Sequence, residues 1–193
     1  MQKHLILASS SPFRRELLSR LNVEFDCHAA DIDESQRIDE PADQYVLRLA
    51  TEKAAKIADL FPGSVIIGSD QCALLDGQIL GKPGTHDNAM HQLKQAQGKT
   101  VTFYTGLCVL DRSLEFQSTD LVLYEVDFRS LSDQQLEHYL RVETPYNCAG
   151  SFKSEGYGVC LFNAMRGDDP SALIGLPLIR LISMLEEANF PVV

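Results

Sequence analysis

Cationic side chains are scarce in this sequence. Its 193 residues carry 17 Lys plus Arg against 27 Asp plus Glu, a net charge of −10. Such a chain lacks the basic field that non-specific nucleic-acid or anionic-membrane binding needs. Any phosphate it handles must meet a local basic pocket set in an acidic surface. No run approaches the roughly 18 unbroken apolar residues of a membrane span. The opening Met1–Ser9 shows no charged n-region, long apolar stretch or small-residue cleavage site. Low-complexity tracts, linker-like segments and internal repeats are missing. The five cysteines (Cys27, Cys72, Cys108, Cys148, Cys160) are odd in number and free of Cys-x-x-Cys spacing. That argues against a disulfide framework or a zinc site and for a reducing cytoplasm. None has an obvious histidine partner, so all five read as small buried hydrophobes. There is no Walker loop, Rossmann glycine fingerprint or His-Glu-x-x-His helix. The serines stand without a His-Asp pattern, which leaves an acyl-transfer nucleophile without support.

What is present is ordinary globular material. At 45% hydrophobic and 23% charged residues, the chain suits one domain over residues 1–193 with a sizeable core. Short apolar strands alternate with helices. Strands are expected at His4–Ala8, Phe25–Ala29, Val65–Gly68, Val101–Leu110, Leu121–Phe128 and Val159–Phe162. Helices are expected from Pro12, with Ser11 as N-cap, over Pro41–Leu60, after Thr85, after Ser132 and over Pro177–Ala188. Ser132 and Gln135 make a capping box, and Asp76-Gly77 a hairpin turn. The pattern predicts an α/β domain with a mixed sheet.

Several residues break the local pattern. Arg14 and Arg15 lie in the first turn of the helix after Ser9-Ser10-Ser11, where they oppose the helix dipole unless an anion is held there. Lys53 falls in the middle of the apolar stripe Val46, Leu49, Ala50, Ala54, Ile57 and Leu60, whereas Arg48, Glu52, Lys56 and Asp59 fall on the opposite side. A lysine so placed snorkels out, pairs with a buried carboxylate, or reaches a cleft. Asp70 ends the buried run Val65–Ser69, at the carboxyl edge where α/β sheets gather ligands, and there could act as a general base or hold a metal. Lys82 sits in the constrained Gly81-Lys82-Pro83 loop. Asp33-Glu34 offers oxygen ligands for Mg²⁺ if it faces the same cleft, and is otherwise solvated surface. The Gly150–Gly156 loop is rich in backbone amides and carries one carboxylate.

Together these pieces resemble the Maf family of nucleoside-triphosphate pyrophosphatases. The resemblance rests on Leu7–Leu18, Asp33-Glu34, Glu52-Lys53-Ala54, Gly68-Ser69-Asp70-Gln71, Gly81-Lys82-Pro83, Tyr104-Thr105-Gly106, Ala149-Gly150-Ser151-Phe152 and Gly175-Leu176-Pro177, in order along nearly the whole chain. It implies an inosine-triphosphatase-like α/β fold, with a mixed elongated sheet, flanking helices and a deep cleft. It also implies divalent-metal-dependent cleavage (Mg, Mn or Co) of a nucleoside triphosphate to monophosphate and pyrophosphate, by a cytoplasmic homodimer. By the same resemblance Asp70 is the proton acceptor; Ser9, Arg14, Arg15, Lys53, Gln71 and Lys82 bind substrate, and Glu34 joins Asp70 at the metal. Ser171-Ala172-Leu173-Ile174 departs from the Asn-Val pair usual in the family, leaving the role of Ser171 open.

Phe13, Gln71 and Glu155 resemble the subfamily assigned to 7-methyl-GTP rather than to dTTP and UTP. The charge on an N7-methylated guanine favours stacking on an aromatic face, and a carboxylate accepts the donors of its Watson–Crick edge. Phe13 would be the platform and Glu155 the edge reader, unless Phe13 merely packs against Leu17. The alternatives are a dTTP/UTP pyrophosphatase of the same family, or a non-catalytic nucleotide-binding regulator of septum formation.

Overall fold

The computed structural model describes residues 3–193. Seven strands form one mixed sheet: β1 (Leu5–Leu7), β2 (Asp26–Cys27), β3 (Val65–Leu75), β4 (Gln78–Leu80), β5 (Thr100–Asp111), β6 (Phe116–Phe128) and β7 (Phe162–Arg166). Their order is β2-β1-β3-β5-β6-β7, with β4 paired to β3. β1 runs parallel to both β2 and β3, while β4 is antiparallel to β3 and β7 to β6. Six helices accompany the sheet: α1 (Pro12–Ser19), α2 (Ala42–Leu60), α3 (His86–Ala96), α4 (Asp133–Glu143), α5 (Pro170–Ile174) and α6 (Leu178–Glu187).

The chain folds as two compact units. The first comprises residues 1–71, 105–122 and 169–193, and the second residues 72–104 and 123–168. In the first unit, Leu5, Leu7, Val65 and Ile67 meet Leu17 and Leu18 of α1 and Leu181, Met184 and Leu185 of α6 in one fully buried cluster. Ile6 and Ile66, pointing the other way by strand alternation, meet Ala50, Ala54 and Ile57 of α2. Two glycines decide how closely α2 approaches. A Cβ on Gly68 would lie 2.0 Å from the Ala50 carbonyl oxygen, and one on Gly106 would lie 2.4 Å from that of Val46. With glycine on the strands and alanine on the helix, α2 lies directly on β3 and β5.

Most local expectations match. Ser11 caps α1 by accepting from Arg14 N, with Pro12 in the first helical position. Thr85 caps α3, and Ser132 with Gln135 forms the full capping box of α4. Others need correction. Residues 157–161 form a 3₁₀ turn, so the last strand is Phe162–Arg166 rather than Val159–Phe162. β2 is only Asp26–Cys27. β3 continues to Leu75, which places Asp70 inside the strand; the parallel pairing with β1 ends at Ile67, and Asp70 lies just past that edge. Only Cys72 and Cys108 are buried; Cys27, Cys148 and Cys160 are half-exposed.

Helix α5 was not foreseen. Asp169 caps it by accepting from Ser171 N, with Pro170 as first residue. The same carboxylate accepts from Ile179 N at 2.8 Å, and the Ser171 hydroxyl accepts from Leu178 N at 2.8 Å. One buried aspartate and one serine thus satisfy the opening amides of α5 and α6, which gives Ser171 a structural role. Among the described residues no helix is long and apolar enough to cross a membrane.

Candidate active site

The stripe position of Lys53 has one consequence. Its ammonium is buried at 7% exposure and lies 2.6 Å from Asp70 Oδ1 and 2.7 Å from Glu34 Oε1. Snorkelling is excluded. The chain spends a buried lysine on gathering two carboxylates, one inside β3 and one from the loop before α2. Asp70 is itself 8% exposed, while the Glu34 side chain is 59% exposed and open to solvent. Asp33 is exposed and folds back on its own loop, accepting from Ser35 N at 2.9 Å.

Arg14 faces the same set. Its Nε donates to the Gly175 carbonyl at 2.8 Å. Burial pulls its pKa below the ordinary guanidinium value, and the charges of Asp70 and Glu34 oppose that shift. Ser69 Oγ donates to the same carbonyl at 3.0 Å. Gln71 Nε2 donates to Ala172 O (2.6 Å), Thr105 Oγ1 (3.0 Å) and Leu173 O (3.2 Å), and Thr105 in turn donates to Ala172 O at 3.1 Å. Three acceptors surround the two hydrogens of the Gln71 amide, leaving its Oε1 as the group to offer a ligand. The unforeseen α5 is thus a rack of carbonyls holding Arg14, Ser69, Gln71 and Thr105 in place. Its signal was in the sequence, as Asp169-Pro170 before Gly175.

Ser9 Oγ, almost buried, accepts from Ser11 N at 3.1 Å and shapes the turn into α1. Phe13 lies in the first turn of α1 and is half-buried. Arg15 is exposed and lines a surface hollow of about 550 Å³ with Ser19, Val23, Glu24, Phe25, Asp26 and Cys27. Lys82 and Glu155 belong to the second unit and are exposed. The Glu155 carboxylate accepts from the Ser154 hydroxyl at 3.3 Å.

Sequence reasoning missed Arg48. The stripe puts it on the side of α2 away from the core and names no partner for it, yet its side chain is only 12% exposed and binds Glu40 through two nitrogens at 2.5 and 2.8 Å. The cysteines offer no nucleophile. None of the five is in a disulfide, and burial pushes the Cys108 thiol up to about 12 and raises Cys27, Cys148 and Cys160.

Known proteins resemble this chain over nearly its whole length. It is 54% identical to the 7-methyl-GTP pyrophosphatase of Methylobacillus flagellatus over 98% of each chain. It is 50% identical to the protein of that name from Nitrosococcus oceani, over 97% of this chain and 94% of the relative. The one from Albidiferax ferrireducens is also 50% identical, over 100% and 96%. In fold, the chain is similar to the structure of the Staphylococcus aureus Ham1 protein, with a TM-score of 0.55 at 11% identity over 97% of this chain and 100% of that one. The arrangement is the α/β fold that the resemblance implies, a mixed sheet flanked by helices. Residues 4–188 match the family described as Maf-like protein, and the chain belongs to that family.

Proposed function

We propose that this protein hydrolyses 7-methyl-GTP to its monophosphate and pyrophosphate. The observation that carries the reading is the Lys53 ammonium set between the Asp70 and Glu34 carboxylates. Near-full-length relatives at 50–54% identity that bear the name 7-methyl-GTP pyrophosphatase support it. The protein is a nucleotide pyrophosphatase, a hydrolase acting on an acid anhydride. Water adds to the α-phosphorus, the bond from that phosphorus to the bridging oxygen breaks, and pyrophosphate leaves with the electron pair. Asp70 accepts the proton of the attacking water, and Lys53 holds that carboxylate at a fixed place. With Nε committed to Gly175, Arg14 turns its remaining donors to phosphate oxygens. Arg15 and Lys82 add charge to the same polyanion, and Ser9 shapes the turn that receives it.

A divalent cation suits this donor set. Glu34 and Asp70 supply hard oxygen ligands, and among the described residues no cluster of three or more His, Cys, Asp or Glu forms a complete cage. Mg²⁺, Mn²⁺ or Co²⁺ sharing its shell with substrate phosphates and water fits two such carboxylates. When bound, the ion offsets phosphate charge and polarises the phosphoryl group.

Phe13 stacks on the methylated guanine, Glu155 accepts from its Watson–Crick edge, and Gln71 Oε1 faces the base or sugar. The protein works in the cytoplasm as a homodimer. A panel of 7-methyl-GTP, GTP, UTP and dTTP, assayed for released pyrophosphate with and without Mg²⁺, tests the proposal. Preference for UTP or dTTP would overturn the substrate, and absence of turnover on all four would overturn the activity.

A further inference from the structure

Glu34 is a mostly exposed side chain on a segment with no regular secondary structure. A carboxylate on an untethered loop would spend most of its time away from Lys53, because ordering a loop costs backbone entropy at every residue. Something has to fix the loop, and one face of α2 does so.

Arg48 Nη2 donates to the Ser35 carbonyl at 3.1 Å, and Tyr45 Oη donates to the Glu34 carbonyl at 2.9 Å. These carbonyls belong to consecutive peptide groups, on either side of the Ser35 Cα. The Arg48 guanidinium also lies 5.7 Å from the Tyr45 ring centroid, which locks the two side chains together. Glu40 closes the far end of the loop. Its carboxylate takes both Arg48 nitrogens and also accepts from Arg37 N at 3.0 Å. Its carbonyl accepts from Gln36 Nε2 at 2.8 Å. Glu52, one turn beyond Arg48, holds it at 3.2 Å and holds Arg37 at 3.0 Å. Apart from the Arg48–Glu52 and Arg48–Tyr45 contacts within α2, every bond of the set ties residues 34–40 to α2 or to each other, and α2 also carries Lys53.

We propose that Arg48 is a positioning residue, acting with Tyr45 and Glu40, that holds the Glu34 carboxylate on Lys53. Only arginine fills this place, because one planar fork reaches a carboxylate, a carbonyl and a second carboxylate together, which an ammonium cannot. The proposal rests on Glu34 being a working carboxylate of the site, and the test separates the two claims.

Four variants of the full chain are compared: Glu34→Gln, Arg48→Lys, their combination, and Tyr45→Phe. Arg48→Lys lowers kcat/KM for 7-methyl-GTP by about tenfold, the size expected when a group that orients a site ligand is lost. In the Glu34→Gln background the same change has no further effect, since a residue that acts only through Glu34 has nothing left to act on. Tyr45→Phe keeps the ring and removes one hydrogen bond, for about a threefold loss. Amide exchange across residues 33–40 rises in Arg48→Lys while Leu5–Leu7 and Val65–Ile67 stay protected. A Glu34→Gln protein with unchanged kcat/KM overturns the reading of Glu34, and this proposal with it. If Glu34→Gln is impaired but Arg48→Lys is equally damaging in both backgrounds, or leaves exchange of the loop unchanged, only the positioning role falls.

Discussion

The two units hold their functional candidates in place by opposite means. Around Lys53, position is set by directional polar bonds: a buried ammonium, two carboxylates and a rack of carbonyls from α5. Around Phe152, position is set by shape. Its ring packs edge-on against Phe103, Phe128 and Phe162 at centroid distances of 5.4, 5.6 and 4.8 Å. Tyr157 stacks on the buried Tyr139, and Glu143 accepts from Tyr157 N at 2.7 Å while pairing with Lys153 at 3.1 Å. This aromatic block anchors both ends of the loop and leaves Glu155 exposed at its tip. Directional bonds suit groups whose charge must sit at one point along a reaction path. A packed block suits a surface loop whose tip can differ without disturbing its base. The difference predicts that substitutions near Lys53 damage turnover or folding, and that substitutions at the loop tip change preference alone.

The largest effect belongs to Asp70. Asp70→Asn keeps size and can still accept a hydrogen bond from Lys53, so the fold should persist, but the amide cannot take a proton from water. General-base catalysis is worth about 10²–10⁴-fold, and kcat should fall by that factor. Near-normal turnover by a folded Asp70→Asn protein would remove the base.

Lys53→Met tests the polar region from the side of stability. Read from the sequence, methionine simply continues the apolar stripe and should leave stability unchanged or improved. The structure reverses that expectation, because the substitution strands Asp70 without its ammonium. Removing one partner of a buried pair costs about 3–5 kcal/mol. The thermal midpoint of Lys53→Met should drop, and Lys53→Met combined with Asp70→Asn should recover part of the loss. A single variant as stable as the parent would show that the pair does not contribute to folding.

That reversal marks the limit of what was legible. Periodicity placed Lys53 on the core side of α2, because a charged residue inside an apolar stripe is visible one turn at a time. Its partner comes from a strand 17 residues further on, and no local pattern names it. The capping box at Ser132 and the turn at Asp76-Gly77 were legible because their chemistry is complete within four residues. Arg48 was missed for the opposite reason. Amphipathicity says that a polar residue lies opposite the core, but not that a loop folds back to cover it. Gly68 and Gly106 were noticed as parts of short motifs, while their physical role, room for the α2 backbone, needs the packed helix to be seen. The strand at 162–166 was set too early because Val159-Cys160-Leu161 has strand composition yet winds into a 3₁₀ turn.

At the two specificity candidates, Phe13 on α1 and Glu155 at the loop tip, effects should be smaller and selective. Phe13→Ala removes the stacking face, and cation–π attraction at a partly desolvated site is worth about 0.5–2 kcal/mol. Glu155→Gln keeps the shape and leaves one acceptor oxygen. Both should lower kcat/KM for 7-methyl-GTP more than for UTP. Ordinary GTP should respond to Glu155→Gln and little to Phe13→Ala, since it has the Watson–Crick edge without the ring charge. Equal losses on all three nucleotides would mean that these residues serve the triphosphate instead.

The smallest effect compares one ion pair from each unit under acid. The Arg48 fork holds the Glu40 carboxyl near 2, against an ordinary 4.5. Bonds from Arg166, then Thr100, hold the Asp127 carboxyl near 2, against 3.8. Both are depressed in the folded chain, so each contributes stability above its unfolded value and loses it as pH falls toward about 2. Glu40→Gln and Asp127→Asn should therefore lie below the parent in thermal midpoint at pH 6, and the gap should close progressively between about pH 4.5 and 2. Salt should then separate the two. The Arg166 and Asp127 side chains are 52% and 27% exposed, against 12% and 7% for Arg48 and Glu40. At about 1 M salt, where the screening length is about 3 Å, the Asp127→Asn gap at pH 6 should shrink and the Glu40→Gln gap should largely remain. Gaps that shrink equally would place both pairs in the same solvent-screened class and remove the distinction between a buried latch on α2 and a surface pair on the sheet.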